Sequence, residues 1–400
     1  MKKKILFIMP SMFIGGAERS LLGLLENIDY TKVDVSLFLY RHEGEFIKYI
    51  PKQVHILPEV EEYRTFDVPI KSLLFSKKWM FGVKRILSKI MLKIHCKFKK
   101  EKEGVWMSMQ YTAKYLQSLL PDITGSYDLG IMYLGIADTL VNKVNAKMKM
   151  TWNHTDYDML YPDKKMDLKT YKNVDFIVSV SDACNEKVKL FYPEIQEKAI
   201  VIENCLAQNL IENQAKYKIK EILSDDEPVI KLLSIGRYCE AKNFDNIPEI
   251  CKRIIQKGIN IKWYIIGYGG EELIIKQKIK ENNMEENVIL LGKKDNPYPY
   301  IANCDIYVQP SRYEGKCVSV REAQMLNKPV IITNYETSGS QLEDGVDGVI
   351  VPIENKLCAD EITRILNDKN LQNKLVSECK KRDYSNREEV KKIYSIIDRT

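Results

Sequence analysis

The chain has no C-x-x-C pair and no cluster of cysteine with histidine, although nine cysteines are scattered from Cys96 to Cys379. A zinc ribbon is therefore not expected, and an odd, dispersed set of thiols reads as reduced cysteines of a cytosolic chain. No run of 18 or more apolar residues occurs, so no membrane-spanning helix is expected. Lys2–Lys4 followed by Ile5–Met9 imitates the start of a signal peptide. However, Pro10 interrupts the apolar run, no small-residue cleavage site follows, and Glu18 and Arg19 arrive early. A strong charge excess is also missing. A net charge of +6 and a sequence pI of about 8.6 are too mild to point to nucleic acid.

What is present is an ordinary globular composition, 45% apolar and 29% charged over 400 residues, enough for two or three domains. Short apolar runs alternate with helical stretches. Strands are expected at 4–9, 33–40, 54–57, 128–133, 148–152, 175–180 and 199–202, then at 229–235, 261–266, 288–291, 306–308, 329–333 and 348–351. Alternation of this kind predicts doubly wound parallel sheets. The stretch 205–228 is polar and lacks a long apolar run, so it is read as a linker between a first domain, 1–204, and a second, 229–384. A final helix over 385–400 carries Val390, Ile393, Tyr394 and Ile397 on one face, with capping-box spacing at Ser385 and Glu388.

One insertion breaks the rhythm. From Lys71 to Lys102 there are eleven Lys or Arg residues and one acid, Glu101. Apolar residues from Trp79 to Phe98 recur every three or four positions. Two readings stay open: a basic amphipathic helix lying on an anionic membrane surface, or a helix whose apolar side packs on the domain core.

Chemistry concentrates at strand ends. The segment Ser311–Ala323 reads S-R-Y-E-G-K-C-V-S-V-R-E-A, with Pro310 ending a strand, Gly315 permitting a turn, and a helix expected over 319–326. A helix start presents backbone N–H groups and a positive dipole end to an anion. Glu314 and Glu322 lie eight residues apart, about 12 Å if helical throughout and less with a loop between. Ionised carboxylates only accept hydrogen bonds, which suits the O–H donors of a diol. Two acids at a solvated helix start is the plainer alternative. Gly236, Arg237 and Lys242 follow another strand, where cations meet phosphate. Gly15 and Gly16 separate the first strand from a helix and allow close backbone approach; Arg19 follows on that helix. His154 sits after a strand, with two ring nitrogens for a hydroxyl or for neighbouring backbone. Gly267, Gly292 and Lys293 lie at further strand ends. The pair Asp156-x-Asp158 invites a metal reading, but two acids at that spacing are common, and no metal is assigned.

The E-x7-E pattern within Y-E-G-x6-E-A, after Q-P-S and before K-P-V-I-I-T, resembles the signature of retaining GT-B glycosyltransferases of the family 4 (group 1) type. G-G-A-E-R near residue 15 and S-x-G-R-x4-K-N from Ser234 resemble further segments of that family. The resemblance implies two Rossmann-like domains facing a cleft and a last helix crossing back to the first domain. It also implies sugar transfer with retention from a nucleoside-diphosphate sugar, UDP-linked, without metal or other cofactor. The catalytic set would be His154, Arg237, Lys242 and Glu314. Glu322 would hold the ribose, Glu314 the donor sugar, Arg237 and Lys242 the diphosphate, and His154 the sugar near its reacting carbon. Gly15, Gly16, Gly236, Gly267, Gly292, Lys293 and Gly315 would line the donor site, with the backbone N–H groups of Cys317 and Val318 facing phosphate. Many relatives carry an aromatic residue and proline where this chain has Lys316 and Cys317. By analogy the acceptor is a lipid-linked saccharide of capsule or exopolysaccharide synthesis, with the protein cytoplasmic or peripheral on the inner membrane face. A nucleotide-sugar epimerase, a phosphorylase (for which no pyridoxal-phosphate lysine motif is evident) and a nonenzymatic partner subunit are the alternatives.

Overall fold

The computed structural model describes residues 2–155, 157, 160–219 and 228–399. It divides into two units, 1–205 together with 387–400, and 206–386.

The first unit is built on a seven-stranded sheet ordered β3-β2-β1-β4-β5-β6-β7. Its strands are β1 (Lys3–Met9), β2 (Val33–Leu39), β3 (His55–Ile56), β4 (Ile123–Met132), β5 (Val144–Asn153), β6 (Phe176–Ser179) and β7 (Ala199–Val201). Every pairing is parallel. Ile5 to Met9 are wholly buried, as expected of a central strand covered on both faces. β4 and β5 begin earlier than their apolar runs do. Their first residues, such as Thr124, Ser126 and Asn145, are polar, so hydrophobic pattern could not reveal them. Backbone pairing holds them, with a register irregularity between Ile123 and Tyr127 and Gly125 at φ +107°.

The helix Val390–Ile397 belongs to this first unit. Val390, Ile393, Ile396 and Ile397 join the core formed by Ile5, Leu21, Leu25 and Ile28. Polar contacts fix the segment: Glu389 accepts from the Glu203 N–H at 2.8 Å, Lys392 donates to the Val201 carbonyl at 3.0 Å, and the Asp29 N–H donates to the Tyr394 hydroxyl at 2.6 Å. Burying each such aliphatic side chain contributes about 1.5–3 kcal/mol. The α-helix itself starts at Val390, after a 3-10 turn over Arg387–Glu389, later than the Ser385–Glu388 spacing predicts.

The second unit has a six-stranded sheet ordered β10-β9-β8-β11-β12-β13. These strands are β8 (Ile230–Ile235), β9 (Ile261–Ile266), β10 (Val288–Gly292), β11 (Ile306–Gln309), β12 (Val330–Thr333) and β13 (Val349–Val351), again all parallel. The stretch 205–228, read above as a linker, is not simply one. It contains the helix Gln208–Ala215, whose Ile211 packs with Leu206 and Tyr300 in this unit's core. No helix among the described residues is long and apolar enough to cross a membrane.

Candidate active site

In each sheet the chain winds outward in one direction and then returns to the other side of the first strand. In the second unit that reversal separates β8 from β11, and ligands of open α/β sheets bind outside the carboxyl ends of strands at such a point. The loops leaving these two strands carry most of the singled-out residues. They are tied together: the Arg312 N–H donates to the Ala241 carbonyl at 2.8 Å, and the Arg312 guanidinium donates to Asp245 at 2.8 and 3.0 Å and to the Glu240 carbonyl at 2.6 Å. Arg312 is a strut that sequence reasoning missed. Its partners lie 67 and 72 residues away, and no local spacing marks it.

Lys242 ends a single 3-10 turn, Glu240–Lys242, closed by Asn243 in the left-handed region at φ 59°. Asparagine tolerates that conformation better than most side chains. The stem of Lys242 lies against Gly236, where a Cβ would come within 2.9 Å of the lysine Cε. Its Nζ donates to Glu314 Oε1 at 2.5 Å and approaches Cys317 Sγ at 3.8 Å. Glu314 Oε1 also accepts from the Ser311 hydroxyl at 2.6 Å, and the Glu314 carbonyl accepts from Thr337 at 2.7 Å. The two side chains of the pair are only 16% and 12% exposed. Burial works against the lysine charge, but Cys317 and Glu314 outweigh it and raise the pKa. Burial first, then the Glu314 charge, pushes the Cys317 thiol up, so it is neutral at pH 7 and the carboxylate is the true counter-ion.

Glu322 lies on the helix Val318–Met325 and is fully buried, accepting from the Tyr298 hydroxyl at 2.9 Å. A carboxylate is tolerated there because donors meet it. The plainer alternative of solvated acids therefore fails for both Glu314 and Glu322. One expectation needs correction: the Cys317 N–H is not open to an anion, since it donates to the Gln341 side-chain oxygen at 2.6 Å. The helix starts at Val318, one residue earlier than expected, and Gly315 is buried in the preceding turn.

Three glycines form a ladder across neighbouring strand ends. The Gly236 N–H donates to the Ile266 carbonyl and the Gly267 N–H to the Gly292 carbonyl, each at 3.0 Å. A Cβ on Gly267 would lie 1.9 Å from the Gly236 carbonyl oxygen, so this glycine is required by backbone approach alone. Lys293 sits with Nζ 5.0 Å from the centre of the Tyr268 ring. Arg237 is exposed and makes no hydrogen bond or ion pair with the described residues. It belongs to the same loop as Lys242 but is not drawn into the pair.

The remaining candidates belong to the first unit. Gly15 is the extended N-cap residue of the helix Gly16–Asn27, and Arg19 is buried with its guanidinium 5.8 Å from the Phe46 ring centre. His154 follows β5, and its Nε2 lies 2.7 Å from the Tyr133 carbonyl. A carbonyl only accepts, so Nε2 carries the proton and Nδ1 has the lone pair. Burial lowers the His154 pKa to about 4, leaving the ring neutral at pH 7. Backbone satisfaction thus explains one nitrogen and leaves the other as an acceptor. Nearby, Ser20 Oγ lies 2.7 Å from the Tyr133 hydroxyl and donates to Asn204 Oδ1 at 2.7 Å. Asp156 and Asp158 lie outside the described residues.

Residues 215–382 match the family described as glycosyl transferases group 1. This segment is a group 1 glycosyl transferase domain. It holds all the second-unit site residues named above. Among curated relatives, the chain is 26% identical over 187 residues to an N-acetylgalactosamine-N,N'-diacetylbacillosaminyl-diphospho-undecaprenol 4-alpha-N-acetylgalactosaminyltransferase of Campylobacter jejuni, covering 46% of this chain and 49% of that protein. It is 27% identical over 176 residues to the capsular polysaccharide biosynthesis glycosyltransferase CapM of Staphylococcus aureus, covering 42% and 44%. The matches thus span less than half the length of these relatives. Among solved structures, a Staphylococcus aureus TarM variant in complex with fondaparinux, alpha-GlcNAc-glycerol and UDP has a TM-score of 0.68 at 15% identity, covering 99% of both chains. Anabaena HepE in complex with UDP and glucose has a TM-score of 0.67 at 15% identity, covering 98% of this chain and 99% of that one. At such identity the likeness establishes the fold, two Rossmann-like domains of GT-B type, around the group 1 domain.

Proposed function

We propose that the chain is a retaining glycosyltransferase that moves a hexose-type sugar from a UDP-linked donor to a hydroxyl of a lipid-linked saccharide, in capsule or exopolysaccharide synthesis. The observation that carries this reading is the buried Lys242–Glu314 pair at the strand-order reversal of the group 1 domain, with buried Glu322 on the helix that follows. In transfer, the bond from the sugar's anomeric carbon to the diphosphate breaks and a bond to the acceptor oxygen forms. The hydroxyl proton departs, and negative charge grows on the nucleoside diphosphate. Lys242 and the exposed Arg237 meet that charge, so the reading calls for no metal. Preorganised cations of this kind lower a barrier by several kcal/mol, on the order of 3.

Diphosphate oxygens offer Lys242 an alternative to Glu314, and the released carboxylate then accepts from sugar hydroxyls. Glu322 accepts from the ribose diol, and His154, neutral with Nδ1 as acceptor, serves a sugar hydroxyl. UDP in the TarM and HepE structures supports the donor class. The undecaprenol and capsular relatives support the acceptor and pathway.

The deciding experiment incubates the purified protein with UDP-, GDP- and ADP-sugars, with and without lipid-linked saccharides, and reads the product anomer by NMR. Acceptor-dependent transfer with the donor's anomeric configuration kept is the expected result. Sugar conversion without acceptor would assign an epimerase instead. Absence of nucleotide-sugar binding in calorimetry would favour a nonenzymatic subunit.

A further inference from the structure

Most of the insertion flagged by its basic charge forms one helix, Trp79–Lys99, which settles on the first unit by one narrow face. Phe81, Ser88 and Leu92 are buried, and Arg85, on the same face, donates to the Thr65 carbonyl at 2.8 Å and to the Val68 carbonyl. These positions follow helical spacing, at about 100° per residue. Gly82 allows the approach of the preceding helix Ile70–Leu74, because a Cβ there would sit 2.9 Å from Leu74 Cδ2. Packing on the core is therefore real, but other residues than the conspicuous apolar series perform it.

The conspicuous series faces the other way. Trp79, Val83, Ile86, Leu87, Ile90 and Ile94 are all exposed, Trp79 by 54% and Ile90 by 49%. On a helical projection they fill a stripe about 100° wide, centred opposite Phe81, Arg85, Ser88 and Leu92. Phe98 extends it and is 82% exposed. Lysines flank the stripe, Lys84 along one margin and Lys89 and Lys93 along the other. None of these three forms an ion pair among the described residues, and the one acid from 71 to 102, Glu101, lies 3.0 Å from His95. An exposed apolar stripe this long is costly in water unless something covers it.

We propose that this face docks the protein in the plane of an anionic lipid bilayer. Charge chooses the occupant. A neutral apolar partner leaves the lysines unanswered, and a second copy of the same face sets lysine rows against each other. A bilayer with anionic headgroups takes the apolar stripe into its interfacial region while the lysine stems reach outward to phosphate. This inference does not rest on the transferase reading, and its test reads no activity.

The test is flotation of the full chain with phosphatidylcholine vesicles, with and without phosphatidylglycerol, across a salt series. Salt-sensitive flotation is expected with the anionic vesicles and little with the neutral ones. Replacing Lys84→Gln, Lys89→Gln and Lys93→Gln together is expected to weaken partitioning roughly 100-fold, at roughly fivefold per lysine. Ile86→Ser, Ile90→Ser and Ile94→Ser together are expected to abolish it. Vesicles are also expected to shift Trp fluorescence to the blue, and Trp79→Phe to remove the shift. The proposal is overturned by failure to bind anionic vesicles, or by binding that survives either triple substitution. Self-association that the isoleucine substitutions abolish, without flotation, would assign the face to a second copy and equally overturn it. Lys84 is half-buried and the other substituted positions are exposed, and circular dichroism checks that each variant is folded.

Discussion

Lys242 and Glu314, 72 residues apart in the chain, meet through a 2.5 Å contact between Nζ and Oε1, both largely out of water. Neither charge is spare, because each is the other's solution to burial. The pair therefore holds the loops after β8 and β11 together and, under the proposed donor chemistry, would carry a second load by storing a cation for the diphosphate.

Lys242→Ala should act on both loads. It strands the Glu314 carboxylate, and breaking a buried pair costs about 3 kcal/mol. Urea unfolding should show that loss. It should be smaller in the double variant Lys242→Ala, Glu314→Ala than the sum of the single changes, because the stranded charge is gone. Turnover should fall about 100-fold or more. Additive stabilities or near-normal rates would remove the pair from this account.

Tyr298 and Glu322 separate structure from binding. Tyr298→Phe removes a buried donor to the carboxylate and should destabilise by about 1–3 kcal/mol. Glu322→Gln keeps the shape but turns an acceptor oxygen into a donor. It should raise KM for the nucleotide-sugar about tenfold while changing kcat less. Equal effects on both constants would place Glu322 in the reacting step instead of the ribose contact.

His154 gives a pH signature. Its folded pKa, about 4, lies below the ordinary value of 6.5 because of burial. The folded state therefore binds fewer protons than the unfolded chain between those values. Stability conferred by the neutral ring is present above pH 6.5 and is lost as pH falls toward 4. Between pH 7 and pH 5 the loss should be about 2 kcal/mol. Thermal melts of the protein and of His154→Asn, compared at both pH values, should show a smaller difference in the variant. Asp167 runs the opposite way over a similar window. Burial raises its pKa to about 6 despite donors from Tyr157, Tyr192, Gln110 and Trp106, so its contribution falls as pH rises from 4 to 6. The comparison with the variant isolates the histidine from it.

Gly267→Ala tests the glycine ladder. The added methyl meets the Gly236 carbonyl oxygen at 1.9 Å, which is backbone and has little room to move. A loss of about 3 kcal/mol is expected, within the range for strain at a packed site. By contrast, Gly270→Ala in the same loop meets nothing within 4 Å and should be near neutral. Equal stabilities of the two variants by chemical unfolding would refute the ladder.

The parallel strands were legible because each buried strand is a compact apolar run ended by Gly, Pro or a polar cluster. The early starts of β4 and β5 were not, because their polar residues are held by backbone pairing that hydrophobicity does not report. Among site residues, Lys242, Glu314 and Glu322 could be named from spacing and resemblance. The bond between the first two could not, since it joins distant segments. Arg312 with Asp245, and the capture of the Cys317 N–H by Gln341, were invisible for the same reason. On the basic helix, periodicity revealed two-sidedness but not its sense. Phe81 and Leu92 do the packing, while the more numerous apolar residues face solvent.

The first unit closes its core with residues that follow the whole of the second unit in the chain. Until Val390–Ile397 emerges, the pocket lined by Leu21, Leu25 and Ile28 stays open to water while all of 206–386 is already outside the exit tunnel. The carboxy-terminal half can thus mature before the amino-terminal half, reversing the order of synthesis. The incomplete half, greasy and waiting, is the form that chaperones would be expected to hold.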